Sequence, residues 1–208
     1  MKNTLYSITL LTTTLFLFSC GGKSESSTTS NESAATENTT AVETIPTLTI
    51  NEADWEVKDL GSISKMVPIS VKVPKNAKLE QNGNGGVDIS VNDFYLITVS
   101  SIYAGSIKEA LDGDKSLTIN SKSYQNGKAI TEEPNGMIYT MQMKDEANGK
   151  KYQPEAHFVY YLQKGPDEAI YSIKDERPLS NFSVSGSAYS EEIAKKIYEL
   201  VKASAKVN

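Results

Sequence analysis

Between residue 69 and residue 174 the chain alternates short apolar-polar segments with turn sequences, and this punctuation is its strongest constraint on fold. Ile69, Val71 and Val73, then Val87, Ile89 and Val91, recur at every second position with polar residues between them. That period suits strands with one buried face. Asn82-Gly83-Asn84-Gly85-Gly86 lies between the two runs and is built from residues that tolerate positive φ, so the two strands are expected to pair as a hairpin. A longer strand is expected from Phe94 to Tyr103, followed later by strands at Lys128 to Glu132, Met137 to Lys144, Tyr152 to Gln163 and Ala169 to Lys174. The separators Glu133-Pro134-Asn135-Gly136, Asn148-Gly149 and Gly165-Pro166 carry turn chemistry. Connections this short join antiparallel neighbours, because a parallel pair needs a crossover of about a dozen residues or more.

Two helices complete the pattern. Ser106 to Leu117 places Ile107, Ala110 and Leu111 on one weak stripe, interrupted by Gly113. Near the end, Ser190 is a capping residue, Glu191 and Glu192 suit the positive end of a helix dipole, and Lys202 suits the negative end. Ile193, Ile197, Leu200 and Val201 recur at helical spacing, each worth about 1.5 to 3 kcal/mol when buried, so this stripe should pack on the sheet. The polar face mixes Glu with Lys and lacks the basic excess of a membrane-surface helix. The expected fold class is α+β: a single, mostly antiparallel sheet of about six to seven strands flanked by a middle helix and a C-terminal amphipathic helix.

The first residues read differently. Lys2 is followed by an apolar run from Ile8 to Phe18, ending in Leu17-Phe18-Ser19-Cys20 with Gly21 and Gly22 behind it. A charged start, a short apolar core and a cleavage point make a secretory leader. A spanning helix needs about 20 apolar residues, whereas this run is shorter and broken by Thr12, Thr13 and Thr14. Leu17-Phe18-Ser19-Cys20 resembles the lipobox of bacterial lipoproteins, in which the thiol takes a diacylglycerol, the peptide is cut before the cysteine, and the new amine is open to acylation. The resemblance implies that residues 1–19 are removed and that Cys20 is lipidated. Two or three acyl chains anchor stably, each buried methylene contributing about 0.8 kcal/mol. Cys20 is the only cysteine, so no disulfide forms within the chain.

From Gly21 to Thr47 the composition is Ser, Thr, Asn, Glu, Ala and Gly, with no aromatic residue and few aliphatic ones. Such a segment buries too little apolar surface to offset chain entropy and is expected to act as a disordered tether with a mean reach of roughly 30 Å. The expected organisation is therefore a leader at 1–19, a lipidated cysteine and tether at 20–47, and an α+β domain at 48–208. Loss of Lys2 with the leader takes the formal charge from -5 to -6. Lysines are scattered among acids, so the clustered cations of a phosphate-binding surface are missing and nucleic acid is not expected as a partner. No aspartate follows Cys20, unlike the inner-membrane retention signal of such lipoproteins. The expected location is the cell envelope, at the outer membrane, on its periplasmic face or the cell surface.

The order Ile69-Ser70-Val71-Lys72-Val73-Pro74, a glycine-rich hairpin, a middle helix, four meander strands with Phe158-Val159-Tyr160-Tyr161, and a closing amphipathic helix resembles the PsbP-like fold. That fold is a central antiparallel sheet flanked by helices, found in photosystem extrinsic subunits and in bacterial lipoproteins. The resemblance spans about residues 55 to 205 and implies a binding or accessory module more often than an enzyme.

Candidate chemical groups are few. His157 is the only histidine, and on a strand it shares a face with Glu155 and Val159, so it reads either as a base held by a carboxylate or as a hydrogen-bonded structural histidine. Asp112-Gly113-Asp114-Lys115-Ser116 has two oxygens at a calcium-like spacing but lacks the terminal glutamate of that loop. Gly83, Gly85 and Gly86 precede a strand where a phosphate cradle requires a helix N-terminus. Glu132 and Glu133 are adjacent, so on a strand they point to opposite faces and cannot act as a pair. Tyrosine stands out, with 11 residues against 5 Phe and 1 Trp. Tyr139, Tyr152, Tyr160, Tyr161 and Tyr171 fall in expected neighbouring strands, where they read either as the half-exposed tyrosines ordinary in a sheet with one solvated face or as a platform of buried rings and wet hydroxyls that stacks on a sugar or holds a peptide.

These observations lead to the expectation of a membrane-anchored, noncatalytic accessory or binding lipoprotein without cofactor or metal, held through acyl chains on Cys20 and directed at an envelope protein or glycan. Two alternatives stay open: a carboxylate-dependent enzyme acting on an envelope polymer, and a carrier of an apolar ligand.

Overall fold

The computed structural model describes residues 48–147, 149, 152–176 and 189–208. The expected leader, Cys20 and the tether to residue 47 lie outside the described residues, as does Asn148 of one expected turn. The chain divides into two units, Met1–Thr40 and Ala41–Asn208. The first lies outside the described residues, and the second carries every element that follows.

Those elements are β1 (Trp55–Asp59), β2 (Ile69–Pro74), β3 (Lys78–Gln81), β4 (Val87–Asn92), β5 (Tyr95–Ile102), α1 (Ile107–Leu117), β6 (Tyr124–Glu133), β7 (Gly136–Met143), β8 (Glu155–Gln163), β9 (Ile170–Glu176), α2 (Glu191–Ser204) and β10 (Lys206–Val207). Seven strands form one antiparallel sheet in the order β3-β4-β5-β9-β8-β7-β6, and β1-β2-β10 form a second sheet. The α+β class, the large antiparallel sheet and the two helices match the sequence expectation. The second sheet is additional to the single one expected.

The glycine-rich turn also joins different strands from those expected. Val87 opens β4, but its hairpin partner is β3, with Gln81 opposite Val87, whereas Ile69 to Val73 pairs with β1 and β10 in the smaller sheet. The reason is legible in β3: Lys78-Leu79-Glu80-Gln81 is a short polar edge with one aliphatic residue, too little alternation to register as a strand. The turn itself is held by Asn82, whose Oδ1 accepts from the Asn84 and Gly86 amides at 3.1 and 2.9 Å. Gly85 sits at φ 78°, where a side chain would be strained.

The large sheet has two apolar faces. On one, Val87, Ile89, Tyr95, Ile97, Val99, Ile138, Phe158 and Ile173 form a core with β2 and α2, whose Ile193, Ile197, Leu200 and Val201 are all buried as the stripe requires. On the other, Met137, Tyr139, Val159, Tyr161 and Ile170 pack under Leu111 of α1. Glu132 and Glu133 reflect this sandwich: Glu132 pairs with Lys115 of α1, and Glu133 pairs with Lys202 of α2, so adjacent carboxylates serve opposite faces. Gly136, after the two-residue Pro134-Asn135 turn, is fixed by packing, since a Cβ there would stand 2.6 Å from the Val159 carbonyl and 2.8 Å from the Tyr198 hydroxyl.

Glu133 makes the α2 contact sensitive to acid. The Lys202 ammonium, 2.6 Å away, holds its carboxyl below the usual glutamate range, with burial opposing and the Tyr198 hydroxyl adding to the effect. A depressed folded value means that the contribution is present above about pH 4.3, where an unfolded glutamate titrates, and is lost as pH falls through the lower folded value. Glu133→Gln should therefore flatten the decline of the unfolding midpoint on acidification below about pH 5. Urea titrations at a series of pH values check this.

Candidate functional site

His157 lies on β8 with its side chain buried, 5% of the residue exposed. The β8-β9 ladder runs as far as Val159 opposite Lys174 and stops there, although both strands continue. At the next position the Asp175 carboxylate takes over the ladder's role. Its Oδ1 accepts from the Phe158 amide at 2.8 Å, and its Oδ2 lies 3.1 Å from both the Tyr95 hydroxyl and His157 Nδ1. A carboxylate only accepts, so Nδ1 carries the proton shared with Asp175.

The rest of the imidazole is sealed by aromatic rings. Tyr189 lies 4.9 Å from it and stacks on Tyr95, and Tyr139 lies 5.8 Å away. Nε2 faces a Glu155 carboxylate oxygen at 3.5 Å without hydrogen-bond geometry, and among the described residues it has no hydrogen-bond partner. Burial first, then the neighbouring Asp175 charge, holds the Tyr95 hydroxyl protonated well above the ordinary tyrosine range, so it remains a donor. Sequence reading brought Glu155 and His157 together correctly, but Asp175, Tyr95 and Tyr189 were not singled out. A general base must reach a substrate proton, and this enclosed imidazole instead joins β5, β8 and β9.

The five tyrosines singled out by composition do not share one surface. Tyr139 and Tyr161 are buried on the α1 face, and Tyr171 is buried on the opposite face. Tyr160 is half-buried and meets Tyr198 edge-on at 5.8 Å. Tyr152 precedes β8 instead of beginning the expected strand, and its hydroxyl donates to Glu146. Asp112 and Asp114, spaced as in a calcium loop, lie within α1 two residues apart and so point in different directions. Asp112 pairs with Lys108, and Asp114 receives the Tyr161 hydroxyl.

That last bond floors a surface cleft of about 260 Å³ beside α1, where the end of β5 meets the helix and β9. Burial first, then the Asp114 bond, raises the Tyr161 hydroxyl above its ordinary range. Tyr103, fully exposed, and Leu117, 71% exposed, form part of the lining. Polar groups lie between them: Glu109 and Asp114 from α1, and Ser172 and Lys174 from β9. Glu109 also accepts the Gly105 amide at 2.9 Å, while Ser106 caps α1 by accepting the Glu109 amide at 3.1 Å. Ser172 shares a 3.1 Å hydroxyl contact with Ser100, and Lys174 pairs with Glu176 at 3.0 Å. The helix N-terminus and the sheet thus fix the polar lining on ordered backbone.

No protein family, curated protein or solved structure compared with the chain matches it. Among the described residues no group of three or more His, Cys, Asp or Glu side chains is placed to hold a metal ion, and no helix is long and apolar enough to cross a membrane.

Proposed function

We propose that this is a lipid-anchored, noncatalytic binding protein of the bacterial envelope whose cleft beside α1 takes a saccharide of that envelope. The observation that carries the reading is the exposed Tyr103 ring at a cleft that also contains carboxylate, hydroxyl and ammonium groups. A sugar ring presents an apolar C–H face and a rim of hydroxyls. An aromatic face stacks on the first, while fixed acceptors and donors orient the second. Glu109 and Asp114 accept, Lys174 donates, and Ser172 does either. The lipobox-like Leu17-Phe18-Ser19-Cys20 supports the anchor, and the polar segment behind it supports a domain held at a distance from lipid. The binding reading is further supported by the role of His157, whose imidazole is occupied within the fold.

Titration of the Cys20→Ser chain with soluble peptidoglycan fragments, followed by amide NMR, tests this. Shifts at Tyr103, Ser172 and Lys174 are expected, and Tyr103→Ala should weaken binding about tenfold, equivalent to about 1.4 kcal/mol. Amides of the cleft that stay unmoved at millimolar glycan, or that move only with a peptide, would overturn the saccharide assignment.

A further inference from the structure

β1 forms one edge of the smaller sheet, and among the described residues only β2 pairs with it. The direction of its backbone groups follows from its surroundings. The Asp54 carbonyl accepts the Lys75 amide at 2.9 Å, whereas the Lys72 amide, opposite Val57, turns away from β1 to the Ser204 hydroxyl at 2.9 Å. Bonding alternates along an antiparallel ladder, so Glu56 and Lys58 bond β2, and Trp55, Val57 and Asp59 direct their amides and carbonyls outward. Two of those six groups are satisfied locally: the Trp55 amide donates to the Glu52 carbonyl, and the Asp59 carbonyl accepts the Ser62 hydroxyl at 2.7 Å. The outer edge is thus made by both groups of Val57, the Trp55 carbonyl and the Asp59 amide.

We propose that this edge pairs with the same edge of a second copy, antiparallel about a twofold axis at Val57, to make one continuous six-stranded sheet. The two Val57 residues then exchange two hydrogen bonds, and each Trp55 carbonyl accepts the Asp59 amide of the other copy. The Trp55 amide and the Asp59 carbonyl, already occupied, face each other in this register, so neither strands a partner. Such a contact is self-complementary, as a twofold interface must be.

Charge selects the register. Glu56 and Lys58 share one face of β1 and pair with each other at 2.8 Å. With the axis at Val57, each Glu56 stands opposite Lys58 of the other copy, and four charges alternate in sign. Outward residues must face outward residues, so the nearest other registers put the axis at Glu56 or at Lys58. Those set glutamate against glutamate or lysine against lysine. On the other face Val57, 55% exposed, is covered by its counterpart. The remaining edges are poorer: β6 is broken by two register shifts and the positive φ of Asn126, and β10 has two residues. β3 repeats the charge pattern with Lys78 and Glu80, but its central Leu79 already packs against the core, so pairing there covers less apolar surface. Five residues a side make a contact well below the standard size, so the dimer is weak and concentration-dependent.

The test follows the Cys20→Ser chain by sedimentation equilibrium and NMR up to millimolar concentration. A monomer–dimer equilibrium is expected, with the Val57 and Asp59 amides shifting as the dimer forms. In a mixture of isotope-labelled and unlabelled copies, Glu56 Hα should show an Overhauser contact to Lys58 Hα of the other copy, because the strands approach most closely at pairs without hydrogen bonds. Glu56→Lys and Lys58→Glu each oppose like charges and should weaken self-association at least tenfold, equivalent to about 1.4 kcal/mol, while the amides of β7 and β8 stay in place. Mixing the two variants restores opposite charges at both crossings, so the mixed dimer should regain the lost association. Lys78→Glu, on β3, should change nothing. A chain that stays monomeric at millimolar concentration, association indifferent to both β1 substitutions, or association lost with Lys78→Glu would overturn the proposal. So would a Val57 amide protected from exchange at every concentration, which would mean that the edge is covered within one copy. The saccharide cleft uses none of these residues, so its reading stands or falls separately.

Discussion

Asp175→Ala should lower the stability of the domain by about 3 to 5 kcal/mol, because truncating a buried carboxylate abandons its partners in a medium without water to replace it. The partners are the Phe158 amide, the Tyr95 hydroxyl and His157 Nδ1, and the Asp175 side chain is fully buried. Against a usual total of about 5 to 15 kcal/mol, this loss is a large fraction of what keeps a domain folded. Tyr95→Phe removes one hydrogen bond and should cost about 1 kcal/mol. In the Asp175→Ala background it should cost nothing further, since the acceptor is already gone, and this coupling separates the network from ordinary core damage. Urea midpoints for the four chains of the cycle measure it. A loss below about 1 kcal/mol for Asp175→Ala would show that the cluster does not hold the sheet together.

Cys20→Ala should reduce incorporation of labelled fatty acid to background and leave the chain either uncleaved or released from the envelope. The expected effect is close to all-or-none, because no other cysteine is present to take a diacylglycerol. Intact-mass measurement of the native product checks the same proposal from the other side, since cleavage before Cys20 and acylation each change the mass by a defined amount. Unchanged labelling of the alanine chain would refute the anchor and, with it, the envelope location from which the saccharide reading takes its ligand.

Local chemistry in the sequence was readable wherever one element sufficed. Ser190, Glu191 and Glu192 start α2 where expected, with the Ser190 hydroxyl accepting the Ile193 amide at 3.3 Å. Ser106 likewise caps α1, and the meander from β6 to β9 follows from its turns. What escaped depends on partners distant in the chain. The smaller sheet joins β1, β2 and the two-residue β10, none of which advertises the others. β6 begins earlier than expected, at Tyr124, because register shifts and the positive φ of Asn126 interrupt its alternation. The buried cluster did leave one trace. Tyr171, Ile173 and Asp175 alternate along β9, and an acid at the third inward position signals a polar network within the core. Tyr103 left none, because only the finished fold shows that its ring stays uncovered.

The pairing of β5 with β9, the central strand of the seven, has a kinetic consequence. β9 comes much later in the chain than β5: Ser100 and Ser172, which touch across that pair, are 72 residues apart. A contact at such separation waits on the closure of a long loop, which is slow. If the chain crosses a membrane from its N-terminal end, as export to the proposed lipid anchor would require, the middle of the sheet stays open until β9 has emerged. The polypeptide would then remain unfolded, and so competent for passage, through most of its transit.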